Sequence, residues 1–508
     1  MDRKDFLKVL GTSLFGGAAF FTGCSNILNQ NNPNSVTPSN FWQNSSDAEA
    51  NVTAIYQNFL GQAGWASANN WYDRIVPSLY RGDLIGITHD VSDWWSMASF
   101  TLVASNGTAS GNWSTNYTGI FYANQAIQNI PNIKSSDTAT MNRLVGEAKF
   151  LRAYFYFDLL NNFKNIPIIL TVPKDNSEYS VPQSTPDQAW SQIIKDLKDA
   201  AAVLPTSYDA ANLGRVTKGA ALGFLGKSYL YQGKWQDAVN TFEQIINSGT
   251  YALLPNFADV FLESNDNSEE SLLEVQYSTN PYKGQTLKSP RNYEEAPSQA
   301  GGWYEEFPNQ FVFNEMSKEK TTNNESDPRL YATIGWKGSP LKIYGKNWSD
   351  LMSSNMDAMI WRKYSGAENN EVLSDYSGKN WRILRFADIL LMHAEALNNL
   401  GKTSSAVGFV NKVRNRANLS NLSSSISKSD LMKEIQHQRI CELADEGSRW
   451  YDLVRWGGNI DKSMTIKQVL VAHDQLGGQN FVAGKHEYLP IPQSELQTNT
   501  KIKQNNGY

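Results

Sequence analysis

The chain has 508 residues, length enough for about three ordinary domains, and its 41% apolar and 19% charged content is that of a folded globular protein, which excludes a disordered one. Its 45 lysines and arginines against 50 aspartates and glutamates give a net charge of −5 with no basic stripe, which argues against nucleic acid as a partner. Two cysteines leave no disulfide framework, while 15 tryptophans, 23 tyrosines and 22 phenylalanines are many, and several of them fall in loops rich in Asn, Ser and Gly.

In chain order, a basic head (Arg3, Lys4, Lys8) precedes an apolar stretch over 10–21 and the tetrad Phe21-Thr22-Gly23-Cys24. That is the layout of a secretory signal over 1–23, and the cut before Cys24 resembles the lipobox of bacterial lipoproteins. The apolar stretch is short for a spanning helix, which needs roughly 20 residues. A diacylated Cys24 would anchor the chain to a membrane surface, with 24–40, rich in Asn, Gln, Pro and Ser, as a flexible tether. Residues 41–508 then read as one domain. Apolar spacing predicts helices over 48–60, 117–130 and 141–163, the last closed by Asn165 and Pro167. Segments 217–231 and 235–246, separated by Gln232-Gly233-Lys234, alternate small and large residues as a tetratricopeptide hairpin does, and 383–416 repeats the pattern. Segment 434–446 also reads as helical, with Cys441 a small buried side chain. The fold class expected is all-α, a scaffold of tetratricopeptide-like hairpins interrupted by a loop-rich insert over about 262–379. Strand-like pieces at 271–277 and 358–364 punctuate that insert, and such long loops are usually functional.

Five blocks carry a family resemblance: Asn32-Pro33-Asn34-Ser35-Val36-Thr37-Pro38 before Phe41-Trp42; the run from Glu147 to Leu159; Arg385-Phe386-Ala387-Asp388 through Leu397; Glu442-Leu443-Ala444-Asp445-Glu446-Gly447-Ser448-Arg449-Trp450-Tyr451-Asp452 through Gly457; and Tyr488-Leu489-Pro490-Ile491-Pro492 toward Tyr508. In this order they resemble the SusD/RagB family of Bacteroidetes outer-membrane lipoproteins. The resemblance implies a helical scaffold, no catalysis, capture of oligo- or polysaccharide at the cell surface, and delivery to a SusC-like TonB-dependent transporter. RagB-type members imply the alternative of a peptide binder. The outer membrane and the cell exterior are the location implied, although residues 25–30 after Cys24 carry none of the acids that many surface-exported members have there. Within the blocks, Arg152, Asp158, Arg385, Asp388, Arg439, Glu442, Arg449 and Asp452 alternate with apolar residues and are predicted to be salt-bridged struts.

Sugar rings pack their C–H faces on flat aromatic rings, and planar polar groups read their hydroxyls. Trp65, Arg81, Asp83, the pair Trp94-Trp95, and Tyr282, Trp303, Tyr304 and Trp336 of the insert fit that requirement and are the candidate glycan-binding residues. The scarcity of basic residues near them points to a neutral glycan. A glycoside hydrolase needs two converging carboxyls; Glu294-Glu295 and Glu305-Glu306 read instead as solvated loop charge. The five histidines show no ligand spacing, and Gly226-Lys227-Ser228 lacks the glycine a phosphate loop needs at Ala221. No metal, no cofactor and no enzymatic activity are expected.

Overall fold

The computed structural model describes residues 41–60, 69–175, 178, 180–282, 285–352 and 358–508; of 60, 69–73, 281, 282, 285 and 286 it describes the backbone alone. The expected signal, Cys24, the tether and Trp65 lie outside the described residues. Met1–Gln43 falls in a unit separate from Asn44–Tyr508, which carries everything below.

The first half is a run of helices: α1 (Ser45–Leu60), α2 (Asn69–Leu79), α3 (Ser92–Ala98), α4 (Gly107–Asn129), α5 (Thr138–Phe163), α6 (Pro186–Val203), α7 (Lys218–Tyr231) and α8 (Trp235–Ile246). Helix α5 is central. Asp137 accepts from the Thr140 N–H at its start, and nearly every side chain from Phe150 to Phe163 is buried, as expected of a helix enclosed on all sides. Helices α4 and α6 flank it, α7 packs on α6, and α8 packs on α7. In α6 the capping box is complete, with Thr185 and Gln188 each accepting from the other's backbone and Pro186 at the first position. The two helices predicted over 217–231 and 235–246 are present as α7 and α8. A Cβ on Gly226 would meet the Phe242 ring at 2.4 Å, so glycine there sets the close approach of the two helices.

Among its described residues the insert carries four short α-helices, α9 (Arg291–Glu295), α10 (Gln310–Met316), α11 (Pro328–Thr333) and α12 (Trp348–Leu351). The described strands form two-stranded antiparallel ladders: β1 (Ile85–Ile87) with β7 (Glu306–Pro308), β2 (Ile166–Pro167) with β3 (Gln183–Ser184), β4 (Ser271–Val275) with β10 (Trp381–Arg385), β5 (Ser278–Tyr282) with β6 (Gln285–Leu287), and β8 (Ile334–Trp336) with β9 (Met359–Trp361). The β4–β10 ladder ties the two ends of the insert together. Its pairing also takes Ile383–Arg385 out of the helix predicted from 383, because a ladder partner outweighs local periodicity there.

The chain then returns to helices: α13 (Phe386–Asn399), α14 (Thr403–Arg416), α15 (Lys428–Leu443), α16 (Arg449–Trp456), α17 (Ile466–Ala472) and α18 (Gln493–Thr498). Helix α13 packs against α8, α14 and α15, which joins the halves. The architecture is therefore mostly helical with small scattered sheets. The predicted struts are ion pairs with partners no local pattern reveals. Arg152 grips Asp196 with two bonds of 2.8 Å, and Arg439 bridges Asp388 at 2.6 Å and Asp452 at 2.7 Å. Asp158 differs: it accepts from Asn112 at 2.9 Å and Asn116 at 2.7 Å rather than from a strut arginine. Cys441 is buried, as expected.

Candidate functional site

A cleft of about 650 Å³ opens where distant segments meet: β1 with Trp95 of α3, the stretch 304–310 around β7, Ala358-Met359 at the start of β9, and the stretch 471–479 at and beyond the end of α17. Its size is that of a small-ligand site. The β1–β7 ladder, with Ile87 opposite Glu306 and Ile85 opposite Pro308, fixes the first two segments against each other. Trp95 is partly exposed and meets His89 edge-on at 4.5 Å. Tyr304 sits at a φ of 54°, the left-handed region, which sends its ring to a different side from that of Trp303. The Tyr304 ring stacks on Phe307 (5.5 Å, 18° between planes), and its hydroxyl donates to the Met359 carbonyl at 2.9 Å. Burial raises that hydroxyl's pKa above the usual tyrosine range, so it stays a donor. Gln310, Asp474 and Gln479 line the rim exposed. Gln475 is buried in the wall, donates to the Tyr80 carbonyl at 3.2 Å and leaves its Oε1 without a partner among the described residues. Flat rings beside planar amides can hold a sugar face and read its hydroxyls.

Gly86 stands behind Phe307, and a Cβ there would lie 2.3 Å from its ring. Gly86→Ala is expected to cost about 1–3 kcal/mol through overpacking. Thermal melting checks this: the variant should melt below wild type, while Gly408→Ala, with open space around a helical glycine, should melt at or above it.

The structure distributes the predicted site residues unevenly. Trp95 and Tyr304 come together in the cleft. Trp94 is half-buried, edge-on to Tyr80 at 5.5 Å. Trp303, 38% exposed, clusters with Tyr293 at 5.5 Å and Tyr376 at 6.3 Å, and Trp336 stacks on Tyr331 at 5.5 Å; neither lines the cleft. Trp65 and the Tyr282 side chain lie outside the described residues. Arg81 and Asp83 are corrections: both are buried and spoken for. Arg81 donates to the Pro77 carbonyl and Asn162 Oδ1 at 2.6 Å each and lies 4.8 Å above the Trp450 ring. Asp83 takes two bonds of 2.7 Å from Arg449 and one of 2.7 Å from His473 Nδ1. Burial alone would raise the Asp83 carboxyl, but Arg449 and His473 outweigh it and hold the group well below the usual carboxylate range. A second correction concerns the carboxylate pairs. Glu294, Glu295 and Glu306 are buried around Arg291, not solvated; only Glu305 is partly open. Burial, then Glu306 and Asp90, push Glu305 up to about 7.

Sequence reasoning missed Phe307, Gln310, Asp474, Gln475 and Gln479. The run Asp474-Gln475-Leu476-Gly477-Gly478-Gln479 held a usable signal, planar polar residues around two glycines.

A family model described as the SusD family matches residues 269–508, and another, described as starch-binding and associating with outer membrane, matches residues 28–230. The chain belongs to the SusD family. This SusD-family chain is 28% identical over 515 residues to SusD-like protein P2 of Formosa agariphila, covering 96% of this chain and 97% of that one. A SusD superfamily protein of Bacteroides vulgatus superposes with a TM-score of 0.82 at 29% identity, over 92% of this chain and all of that one. A laminarin-binding SusD-like protein superposes with a TM-score of 0.73 at 28% identity, over 92% and 100%. The blocks from Arg385 onward, quoted for the SusD/RagB resemblance, fall inside the first matched range.

Proposed function

We propose that this SusD-family protein binds a neutral oligosaccharide in the Trp95–Tyr304–Phe307 cleft and passes it to a TonB-dependent transporter at the outer membrane, where a lipid on Cys24 holds it facing outward. The observation that carries the glycan reading is the cleft lining, which joins three aromatic rings to planar amides. Among the described residues the lining contains one acid, Asp474, and no lysine or arginine, which disfavours an anionic polysaccharide. The laminarin-binding neighbour makes laminarin the first neutral glucan to try. Binding without hydrolysis fits the carboxylates: Glu294, Glu295 and Glu306 face Arg291 in the interior, where no glycosidic bond reaches them.

Titration calorimetry with laminarin, an acidic polysaccharide and a peptide mixture tests this. Heat with the neutral glucan alone is the expected result; heat with peptides alone would overturn it. Trp95→Ala and Tyr304→Ala should each weaken glucan binding about tenfold or more, the effect of removing a central aromatic anchor. Trp336→Ala, away from the cleft, should leave it unchanged. Release of reducing ends during incubation would count against a purely binding role.

A further inference from the structure

Directly behind the cleft wall, Arg291 sits fully buried among four carboxylates. Its Nε lies 2.7 Å from Glu295 Oε1, its Nη2 2.6 Å from Asp445 Oδ1, its Nη1 against Glu306 Oε1, and Glu294 Oε2 is 3.6 Å from Nη1. The guanidinium thus engages one oxygen of each of Glu295, Glu306 and Asp445. The second oxygen of each, Glu295 Oε2, Glu306 Oε2 and Asp445 Oδ2, is sealed from solvent and has no hydrogen-bond partner among the described residues. A separate group points the same way. The Tyr80 hydroxyl, from the turn after α2 and itself wholly buried, also lacks a well-formed hydrogen bond, and the charges it feels are Glu306, Glu294 and Arg291.

One guanidinium cannot balance Glu295, Glu306 and Asp445, even with the Lys363 ammonium acting on Asp445, and an uncompensated charge in the interior is costly. Either protons or a cation must make up the difference. The geometry favours a cation. One oxygen from each of Glu295, Glu306 and Asp445 lies within 4.8 Å of the others. Calcium holds oxygen ligands at about 2.3–2.6 Å and so spans oxygens up to about 5 Å apart, whereas magnesium dehydrates reluctantly and usually keeps several waters, a poor match to carboxylates sealed from solvent. The donors are all hard oxygens, with no nitrogen or sulfur that would select a transition metal.

We propose that Glu295, Glu306 and Asp445 form a buried site for one calcium-sized divalent cation, beside Tyr80 and opposite Arg291. The site joins three segments. Glu295 ends α9, Glu306 opens β7 between the cleft rings Tyr304 and Phe307, and Asp445 lies between α15 and α16. The cation therefore pins the strand that carries the cleft's aromatic wall.

The test uses the purified full chain stripped with a chelator and titrated with terbium, whose emission aromatic side chains nearby sensitise; Tyr80 adjoins the site and Trp381 lies 5.1 Å from the Arg291 guanidinium. One terbium per chain is expected, displaced by calcium and much less by equimolar magnesium. Asp445→Asn and Glu295→Gln should each weaken calcium competition at least tenfold. A wild-type chain with no calcium-displaceable emission overturns the proposal, a result that needs no variant to fold. So do folded variants that compete like wild type. Glycan binding is not read in any of these arms, so their failure leaves the cleft assignment standing.

Discussion

Arg385→Met is expected to remove about 3–5 kcal/mol of stability, the cost of taking the central cation from a buried cluster of carboxylates. Arg385 is 1% exposed and reaches Glu270 at 2.5 Å, Glu442 at 3.0 Å and Glu446 at 2.7 Å. Burial works against its charge, but Glu446, Glu442 and Glu270 more than compensate and raise its pKa. The same carboxylates are shared with Arg416, which contacts Glu270 and Glu442, with Arg329, 3.6 Å from Glu442, and with Lys363, 2.7 Å from Glu446. These groups hold β10, α14, α15 and the insert in one network, so the loss is not local. Domains are stable by only about 5–15 kcal/mol, and the variant should unfold at a far lower urea concentration or accumulate insoluble. The comparison is Lys195→Met: Lys195 is 64% exposed and pairs with Asp199 at 3.0 Å, and its loss should cost under about 1 kcal/mol. Equal urea midpoints for the two variants would sink the claim that the buried network is the brace.

Asp83→Ala is the second large effect, again about 3–5 kcal/mol, because Arg449 is left buried and unpaired. It should also loosen the cleft. His473, bound to Asp83, stacks on Phe311 at 3.4 Å and follows directly on α17, immediately before the wall residues Asp474 and Gln475. The sign with pH follows from a depressed carboxyl: its contribution is present above the ordinary aspartate value of about 3.9 and is lost as pH falls through the lower folded-state value. Wild type should therefore lose stability in acid more steeply than Asp83→Ala does. Parallel acid titrations of the two, followed by circular dichroism, would contradict this assignment.

The helices were legible in the sequence because their burial has a period of its own. Ala220, Leu225, Tyr229, Ala238 and Phe242 mark α7 and α8 without help from any distant residue, and all five are buried. The insert was legible only as an interruption, since its short ladders depend on partners far along the chain, as β1 depends on β7. The same distance explains the misreading of Arg81 and Asp83. Beside Tyr80 and ahead of Trp94-Trp95 they look like hydroxyl readers, but the arginine that claims Asp83 is 366 positions away. The carboxylate pairs were misread for a more local reason. Arg291 stands three and four residues before Glu294 and Glu295, a spacing that could have revealed the pairing. Trp95 and Tyr304 were visible as loop aromatics, whereas their convergence, and the polar rim at 474–479, came only with the fold.

Since residues 471–479 close a cleft begun at Ile85, synthesis order matters. Asp83 and His473, whose pairing draws these walls together, are 390 positions apart. The early aromatic wall, made first, must wait unpaired for a partner made last, and an incompletely folded chain holds no assembled cleft. Ligand can therefore favour only the finished molecule, selecting completed copies by mass action from those still folding.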